Sequence, residues 1–398
     1  MLEVRIQIMA MRFIHTSDWH LGHVIYGIDR NEEQKDMLEQ MVSIVREQKP
    51  DAFLLSGDVF HSAQPSSSVQ TMFTDALVEI YKANPEMQII ITAGNHDSAV
   101  RHEIYRTPWE TFNVHMIGSL DQNDLESHII EIPGRGFVIA IPYIHVRNMP
   151  AGCRQQLLDM VAKRNPDSLP VVLMDHTTVS GCDFKGHDHI SDYTVGGIDC
   201  INLDELGTGY DYVALGHIHN PQNISGSHGK VRYSGTPLPV TFDEVLGHSV
   251  TMVEIGAHGD SPKLSEIPVD NIHPLVTLPS EGYATWDEAK KLLEEFSSVK
   301  VSYIRLNVEV EDFLPSDAEM TAVDICERLG HKFCYINVRR NVVAADGIRV
   351  MTVDELKEQS PLDFAEMYLS DSGVVFDAEI KDLFKLAIER VNESKRNS

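Results

Sequence analysis

The sequence predicts an α/β fold from two observations. Short apolar runs of the kind that form buried strands occur at residues 13–14, 52–55, 89–92, 171–174 and 212–215. Amphipathic helical periodicity separates the first three runs, with one apolar face at residues 37–45, before Lys49-Pro50 ends the helix, and another at residues 69–80. Strands that alternate with helices in this way are typical of an α/β protein.

Each strand run leads into a polar segment rich in Asp, Asn and His. The segments are Ser17-Asp18-Trp19-His20, Ser56-Gly57-Asp58, Gly94-Asn95-His96-Asp97, Asp175-His176 and Gly216-His217-Ile218-His219. Because open α/β sheets place their sites at the carboxyl ends of strands, we expect these segments to converge. A glycine precedes Asp58, Asn95 and His217, where it lets the backbone turn sharply and approach a ligand without a Cβ clash.

The side chains of these segments suit a pair of metal ions. Oxygen and nitrogen ligands without sulfur, which suit Mn²⁺, Fe²⁺ or Zn²⁺, are offered by Asp18, His20, Asp58, Asn95, His176, His217 and His219. One carboxylate such as Asp58 can bridge two ions, and ions about 3.5–4 Å apart can activate a water for attack on a phosphate. His96 follows the expected ligand Asn95 and would protonate the leaving alkoxide as general acid. The sequence therefore predicts a two-metal phosphoesterase.

Each motif also has a plain structural explanation. Taken singly, Asp18 and His20 are polar loop residues, and the Gly94-Asn95-His96-Asp97 segment is a helix cap or a turn. The joint pattern, in this order and always after a strand-like run, favours the metal site.

Length and composition describe an ordinary globular chain. Its 398 residues, 42% hydrophobic and 23% charged, can bury a large core in two or three domains. No stretch approaches the roughly 20 apolar residues that span a bilayer, so we expect a protein that is neither secreted nor membrane-bound. The five cysteines are scattered without a CxxC pair, which fits reduced thiols in the cytoplasm.

The formal net charge of −27 at first argues against a polyanionic substrate. A bound metal pair would invert the electrostatics locally, so the charge of the whole chain does not describe the field inside a cleft. If the substrate is nucleic acid, the chain alone should bind it weakly.

These residues resemble the calcineurin-like metallophosphoesterase superfamily, whose pattern is D-x-H, G-D, G-N-H-D, H and G-H-x-H. More narrowly, the chain resembles the SbcD family of nuclease subunits of bacterial SbcCD complexes, counterparts of the double-strand-break repair nuclease of archaea and eukaryotes. The closer match lies in residues 14–22, 57–61, 212–219 and 233–239, followed by Phe242-Asp243-Glu244. The resemblance implies a four-layer sandwich of two mixed sheets flanked by helices, with a smaller α+β cap domain and C-terminal helices.

The resemblance also implies a role for each site residue. One metal would take Asp18, His20, Asp58 and His219, and the other Asp58, Asn95, His176 and His217, with Mn²⁺ the first expectation for both. His96 would be the catalytic histidine, Asp97 would orient it, and His61 would be a further active-site histidine of the nuclease branch. One departure is Asp175, where a small residue was expected before the ligand His176.

Other histidines are left out of the predicted site. His187-Asp188-His189 imitates the D-x-H spacing but follows no apolar run. His23, His102, His115 and His145 have no partner spacing and are interpreted as structural. Residues 1–10 are interpreted as an extension from an upstream start, because family members usually begin just before the first strand.

Three domains are predicted. Residues 11–274 form the nuclease domain, and residues 275–350 form the α+β cap, with a helix capped by Thr285, a strand at residues 303–310, a helix at 318–329 and a strand at 332–343. By resemblance the cap would select the DNA structure, and the alternative is a stabilising appendage. Residues 351–398 would carry a helix with the apolar stripe Ile380, Leu383, Phe384, Ala387, Ile388 and Val391.

That stripe needs a partner. The resemblance favours docking on the coiled-coil base of an SbcC-like ATPase, and the alternative is an intramolecular core. No Walker A motif occurs in the sequence, so any ATP dependence would come from the partner. The family also implies a homodimer.

The predicted function is that of a DNA nuclease in repair, recombination and replication, acting as an exonuclease on duplex ends and an endonuclease on hairpins and single strands. One alternative is a phosphoesterase for a small nucleotide or a phosphoprotein, using the same metals. The other is a non-catalytic protein that tethers DNA ends or regulates an ATPase, which would have no need for a complete ligand set.

Overall fold

The computed structural model describes residues 9–184, 200–244 and 246–340, together with Lys381. In chain order, the strands are β1 (Met11–Thr16), β2 (Val24–Ile25), β3 (Ile28–Asp29), β4 (Ala52–Ser56), β5 (Gln88–Thr92), β6 (Val114–Ile117), β7 (Ile129–Ile132), β8 (Gly136–Ala140), β9 (Val171–His176), β10 (Tyr212–Gly216), β11 (Gln222–Asn223), β12 (Val231–Tyr233), β13 (Ser249–Ile255), β14 (Lys263–Pro268), β15 (Leu275–Leu278), β16 (Tyr303–Val310) and β17 (Lys332–Arg340). The helices are α1 (Asn31–Gln48), α2 (Ser67–Ala83), α3 (Ala99–Glu110), α4 (Cys153–Lys163), α5 (Trp286–Glu295) and α6 (Ala318–Leu329).

Two six-stranded mixed sheets form the centre of the fold. The first has the order β14-β13-β1-β4-β5-β6, in which β1, β4, β5 and β6 are parallel and β13 pairs antiparallel with β1. The second has the order β11-β12-β10-β9-β8-β7, with β12, β10, β9 and β8 parallel. In each sheet the parallel strands end at one edge, which is where the polar segments of the sequence begin.

The two sheets face each other across a buried apolar layer. Successive side chains of a strand point to opposite faces, so Phe13 enters the layer between the sheets while Ile14 packs toward α1 and α2. Met174 and Ala214 of the second sheet meet Phe13 in the middle layer, and α4 covers the outer face of that sheet through a separate core. The predicted fold class is confirmed as two mixed sheets flanked by helices.

The predicted elements of this region are confirmed. All five apolar runs are buried strands, α1 ends at Gln48 with Lys49 in a left-handed conformation, and α2 buries its predicted face. The pairings of β7 with β8 and of β13 with β14 were not predicted. None of the helices in the described part of the chain is both long and apolar enough to cross a bilayer.

A smaller sheet with the order β15-β16-β17 follows, and we call it the cap sheet. The predicted Thr285 cap is confirmed, because its side chain accepts a hydrogen bond from Glu288 N and the Glu288 carboxylate accepts one from Thr285 N. The strand at residues 303–310 and the helix at 318–329 are confirmed. The strand predicted at residues 332–343 is described to Arg340, and the C-terminal helix lies outside the described residues.

The chain divides into two compact units. One comprises Met1–Val308 and Leu314–Val338, so β15, α5 and α6 belong to the same unit as the two large sheets. The other comprises Glu309–Phe313 and Arg339–Ser398, and in its described part Arg339 donates a hydrogen bond to Glu309. The boundaries at residues 274 and 350 stay predictions.

Candidate metal centre

The polar segments of both sheets meet at one end of the sandwich. Asp18 and His20 follow β1, Asp58 follows β4 and Asn95 follows β5, all in the first sheet. His176 ends β9, and His217 and His219 follow β10, in the second sheet. The structure therefore brings together the seven side chains that the sequence predicts as ligands.

The backbone around these residues is strained. Asp18, His20, Asp58 and His217 have φ angles of 55°, 45°, 51° and 97°, in the left-handed region that residues other than glycine enter at a cost of about 1–3 kcal/mol. Such strain persists only where the surrounding structure enforces it, and here it turns each side chain out of its strand toward the others. Backbone hydrogen bonds enforce it, because Asp18 N donates to Gly57 O and His20 N to Asp58 O, both at 3.0 Å.

Two glycines leave room for the ligands, as the sequence predicted. A Cβ on Gly57, which has a φ of 83°, would lie 2.1 Å from His176 Nδ1. A Cβ on Gly94 would lie 2.1 Å from Asp58 Oδ1. Any side chain at either position would displace a predicted ligand.

One group of ligand atoms forms around Asp18, His20 and His219. The Nε2 atoms of His20 and His219 are 3.2 Å apart, and ligand atoms of all three residues lie within 4.8 Å of one another. The Asp18 carboxylate is fixed by His217 N, which lies 3.0 and 3.1 Å from its two oxygens.

A second group forms around Asp58, His176 and Asn95. Asp58 Oδ2 lies 3.5 Å from His176 Nε2, and Asn95 Oδ1 lies 3.1 Å from the same nitrogen and 3.0 Å from His217 Nδ1. Asp58 Oδ2 is also 3.8 Å from His20 Nε2 in the first group. One carboxylate oxygen therefore faces both groups, which is the arrangement a bridging ligand requires.

Hydrogen bonds behind the histidines set their tautomers. His176 Nδ1 donates to Ser56 O at 2.8 Å, because a carbonyl can only accept. His219 Nδ1 donates to Glu244 Oε1 at 3.0 Å. Each bond directs Nε2 into the cluster, which is how proteins orient imidazole ligands for a metal. The residues present thus fit a pair of divalent ions: converging oxygen and nitrogen donors, with no sulfur, held by outer hydrogen bonds.

The electrostatics of the cluster follow from burial and from its two carboxylates. Burial raises the pKa of Asp18 and lowers that of His20 well below its ordinary value. Burial also disfavours the charged forms of Asp58 and His176, but their mutual attraction outweighs it. It lowers the pKa of Asp58 and raises that of His176 to about 9.

Two further predicted residues, His96 and His61, lie beside the ligands. The ring of His96 is 5.0 Å from that of His20 and stacks on that of His61 at 5.7 Å between centroids. His96 Nδ1 is 3.0 Å from His61 O, so Nδ1 carries the hydrogen and Nε2 is the atom available for proton transfer.

The contacts of Asp97 differ from the prediction that it orients the His96 ring. Its carboxylate accepts hydrogen bonds from Val59 N, Phe60 N and Gly94 N at 2.9–3.0 Å. Among the described contacts, Asp97 therefore ties the loop after β4 to the loop after β5, and His61 O holds the His96 ring.

Two residues near the site were not predicted to lie there. The His23 ring is 4.6 Å from the His61 ring, and His23 Nδ1 is 3.2 Å from Arg30 Nη1. No motif spacing marks His23, although it lies three residues after His20. Glu244, behind His219, lies in the Phe242-Asp243-Glu244 segment that matched the family without an assigned role.

The unexpected Asp175 has a structural explanation. Arg154 of α4 donates to its carboxylate at 2.6 Å, and both residues are buried. Because neighbouring residues of a strand point to opposite faces, Asp175 pairs with α4 while His176 faces the first sheet. The structural interpretation of His115 agrees with its contact to Gln88, and residues 187–189 lie outside the described residues.

The chain is similar in sequence to proteins of known families. A family model described as calcineurin-like phosphoesterase matches residues 11–221. A protein of Rhodobacter capsulatus, named as the D subunit of the nuclease SbcCD, is 31% identical, covering 72% of this chain and 76% of the relative. Proteins of the same name from Bacillus subtilis and Escherichia coli K12 are each 27% identical, covering 76% and 68% of this chain and 80% and 71% of the relatives.

Proposed function

Because this chain belongs to the calcineurin-like phosphoesterase family and to the SbcD family within it, we propose that it is the nuclease component of an SbcCD-like complex and hydrolyses DNA phosphodiester bonds. The observation that carries the proposal is the convergence of ligand side chains from both sheets beside the His96 imidazole. The relatives' names, which describe a subunit of a nuclease, support a nucleic acid as the substrate. Its cellular setting would be DNA repair, recombination and replication in the cytoplasm.

Two divalent metal ions are the proposed cofactors. The oxygen and nitrogen donors without sulfur suit Mn²⁺, Fe²⁺ or Zn²⁺, and the family resemblance makes Mn²⁺ the first candidate. One ion would be held by Asp18, His20, Asp58 and His219, and the other by Asp58, Asn95, His176 and His217. When bound, such ions lower the pKa of a water molecule and neutralise charge on the phosphate.

His96 is the proposed general acid. Its Nδ1 is engaged by His61 O, so Nε2 can deliver a proton to the leaving oxygen. His61 has two parts in this scheme: its carbonyl fixes the His96 ring, and its own ring stacks on it. Asp97 keeps the loops that carry Asp58 and Asn95 at a constant separation.

The proposed activities are exonuclease action on duplex ends and endonuclease action on hairpins and single strands. Asn95 is exposed and His96, His61 and His217 are partly exposed, so a polymer can reach the site without opening the core. Arg305 of the cap sheet donates a hydrogen bond to Asp243, next to Glu244, which contacts His219. This contact supports a cap sheet close to the proposed metal ligands, where it would select the DNA structure.

The proposed partners are DNA, an SbcC-like ATPase with a coiled coil, and a second copy of this chain. The net charge of −27 supports a complex in which the partner supplies the basic DNA-binding surface. The partner would also supply the ATP site, because the sequence has no Walker A motif. The proposed ATPase-binding helix is in residues 351–398. Apolar side chains on α3 support the homodimer, because Val100 and Ile104 are 69% and 66% exposed.

The test is a cleavage assay of the full chain with Mn²⁺ on a hairpin-ended duplex and on the small diester bis-p-nitrophenyl phosphate. We expect both to be hydrolysed, and His96→Ala to lower hairpin cleavage about 10²–10⁴-fold. His115→Ala is the matched control, because its ring, on the edge strand β6, contacts Gln88 at the start of β5.

The alternatives predict other outcomes. Hydrolysis of the small diester alone, even with the ATPase partner added, would replace the DNA assignment with a small-substrate phosphoesterase. DNA binding without hydrolysis of either substrate would identify a tethering protein.

A further inference from the structure

Glu244 stands directly behind the ligand His219. Its Oε1 accepts the hydrogen of His219 Nδ1 at 3.0 Å, and its Oε2 accepts from Thr236 Oγ1 at 2.9 Å. The Glu244 side chain is only 1% exposed, so water does not compete for these contacts. The carboxylate therefore fixes the plane of the His219 ring and the direction of its Nε2 lone pair.

The same carboxylate closes the turn that carries it. Val240 N and Thr241 N each donate to Glu244 Oε1 at 3.1 Å. Oε1 thus receives His219 and two backbone amides at once. Because Oε1 accepts from both the backbone of the turn and His219, a displacement of the turn would move the oxygen that accepts the hydrogen bond from His219.

Two arginines hold this turn from outside. Arg30 Nη1 donates to Pro239 O at 2.6 Å, before the turn. Arg305 of the cap sheet donates to Asp243 Oδ1 at 2.7 Å and Phe242 O at 3.5 Å, and its guanidinium lies over the Phe242 ring. Arg305 is 7% exposed and is itself fixed by Thr277 Oγ1 and Tyr335 OH of the same sheet.

We propose that Glu244 is the positioning residue of His219 and that Arg305, acting on residues 242–244, connects the cap sheet to that ligand. The inference rests on the proposed role of His219 as a metal ligand. It deepens the proposed function, because a displacement of the cap sheet would change the affinity of the metal site that His219 serves and leave the other site unchanged.

The experiment measures Mn²⁺ binding to the metal-free full chain from the electron paramagnetic resonance signal of free Mn²⁺. For Glu244→Gln we expect about tenfold weaker binding of one ion and unchanged binding of the other. Glutamine keeps the oxygen that accepts from the two amides and from His219, so the turn should persist. It removes only the negative charge that strengthens the hydrogen bond to His219 Nδ1, and excess Mn²⁺ should restore the cleavage rate. Glu266→Gln, a carboxylate that pairs with Arg232 on β12, is the matched control.

A second pair of variants tests the connection to the cap sheet. Arg305→Met should weaken the same ion about twofold or more and add nothing in the Glu244→Gln background, because both changes interrupt one path. Lys332→Met, which removes a cation of β17 that lies over the Tyr303 ring, should leave both ions unchanged. If Glu244→Gln proves unfolded, Glu244→Asp and Arg305→Met carry the test, with the same single-ion loss expected.

The outcomes separate this inference from the function on which it rests. Wild-type chain that binds no Mn²⁺ pair, or His219→Ala with unchanged binding, would overturn the proposed metal site. Wild-type binding that His219→Ala weakens and Glu244→Gln leaves intact would overturn the role of Glu244 alone. Fully additive effects of Glu244→Gln and Arg305→Met would overturn the connection to the cap sheet.

Discussion

His15 of β1 and His176 of β9 both lie near the carboxyl ends of strands, one in each six-stranded sheet, yet their pKa values move in opposite directions. Both are fully buried and each reaches across the sandwich to a backbone carbonyl, His15 to Leu215 O and His176 to Ser56 O. Burial, with the charge of Arg232, lowers the pKa of His15 to about 3. At His176 burial also opposes the cation, but Asp58 raises the pKa to about 9. Burial therefore keeps the His15 imidazole neutral, whereas the carboxylate of Asp58 beside His176 stabilises the charged imidazole there.

The largest expected effect comes from removing the carboxylate of Asp58, which raises the pKa of His176. Asp58→Asn should abolish binding of the Mn²⁺ pair and lower the hydrolysis rate about a thousandfold, because metal stabilisation of a phosphoryl transition state is worth several kcal/mol. Initial rates on bis-p-nitrophenyl phosphate and a Mn²⁺ isotherm measure it. Asp36→Asn on the surface of α1 is the control, and wild-type rates in Asp58→Asn would contradict the role of the cluster.

The next effect is a pH dependence of Mn²⁺ affinity. Below pH about 9, His176 of the metal-free chain carries a proton that must leave before Nε2 can bind a metal. Affinity should therefore rise with pH, about tenfold per unit and about a hundredfold from pH 6 to pH 8 for this one proton. Isotherms at three pH values would reveal it, and a flat affinity would show that His176 is neutral.

His15 should give a pH dependence of folding stability instead of metal affinity. Its folded pKa of about 3 lies below the unfolded value of 6.5, so its contribution is complete above pH 6.5 and is lost as the pH falls toward 3. From pH 7 to pH 5 the loss is about 2 kcal/mol. Urea unfolding of the metal-free wild type and His15→Gln should show a flatter profile in the variant, and parallel profiles would exclude His15 as a source.

The smallest expected effect tests the hydrogen bond that His15 accepts. Since His15 Nε2 donates to Leu215 O, its Nδ1 accepts from Tyr212 OH at 2.9 Å. Tyr212→Phe should cost about 1 kcal/mol at neutral pH, the usual worth of one such bond, and leave Mn²⁺ affinity unchanged. Tyr210→Phe, a ring packed at the edge of the second sheet's outer core, is the matched control.

The sequence was sufficient to predict the site residues at the strand ends because the two signals, an apolar run and the polar residues directly after it, are both local in the chain. An apolar run predicts a buried strand, and the polar residues that follow it must then lie at the sheet edge. The pairing of β1 with β13 has no such local signal, since Met11 meets Ile255 across most of the chain. The hairpin of β7 and β8 was not predicted because the turn between the two strands was not recognised, although Gly134 lies there with a φ of 66°.

The remaining site residues could not be predicted because their roles depend on tertiary contacts. Glu244 reaches His219 only because Thr236 and two backbone amides hold its carboxylate. His23 enters the site through Arg30 and the His61 ring. Asp97 neighbours His96 in the sequence, yet its side chain turns to the backbone after β4, which no motif could reveal.

The origin of the ligands in two different sheets has a mechanical consequence. Asp18 and His217 are 199 residues apart in sequence and belong to opposite halves of the sandwich. Each bound ion would have ligands from both sheets and would therefore link the two sheets. Free Mn²⁺ at a hundredfold excess over its Kd would add about 2.7 kcal/mol per ion to the free energy of unfolding. Thermal unfolding with Mn²⁺ and with a chelator would measure that gain. Without manganese, the protein would then be degraded faster by proteases in addition to losing its hydrolytic activity.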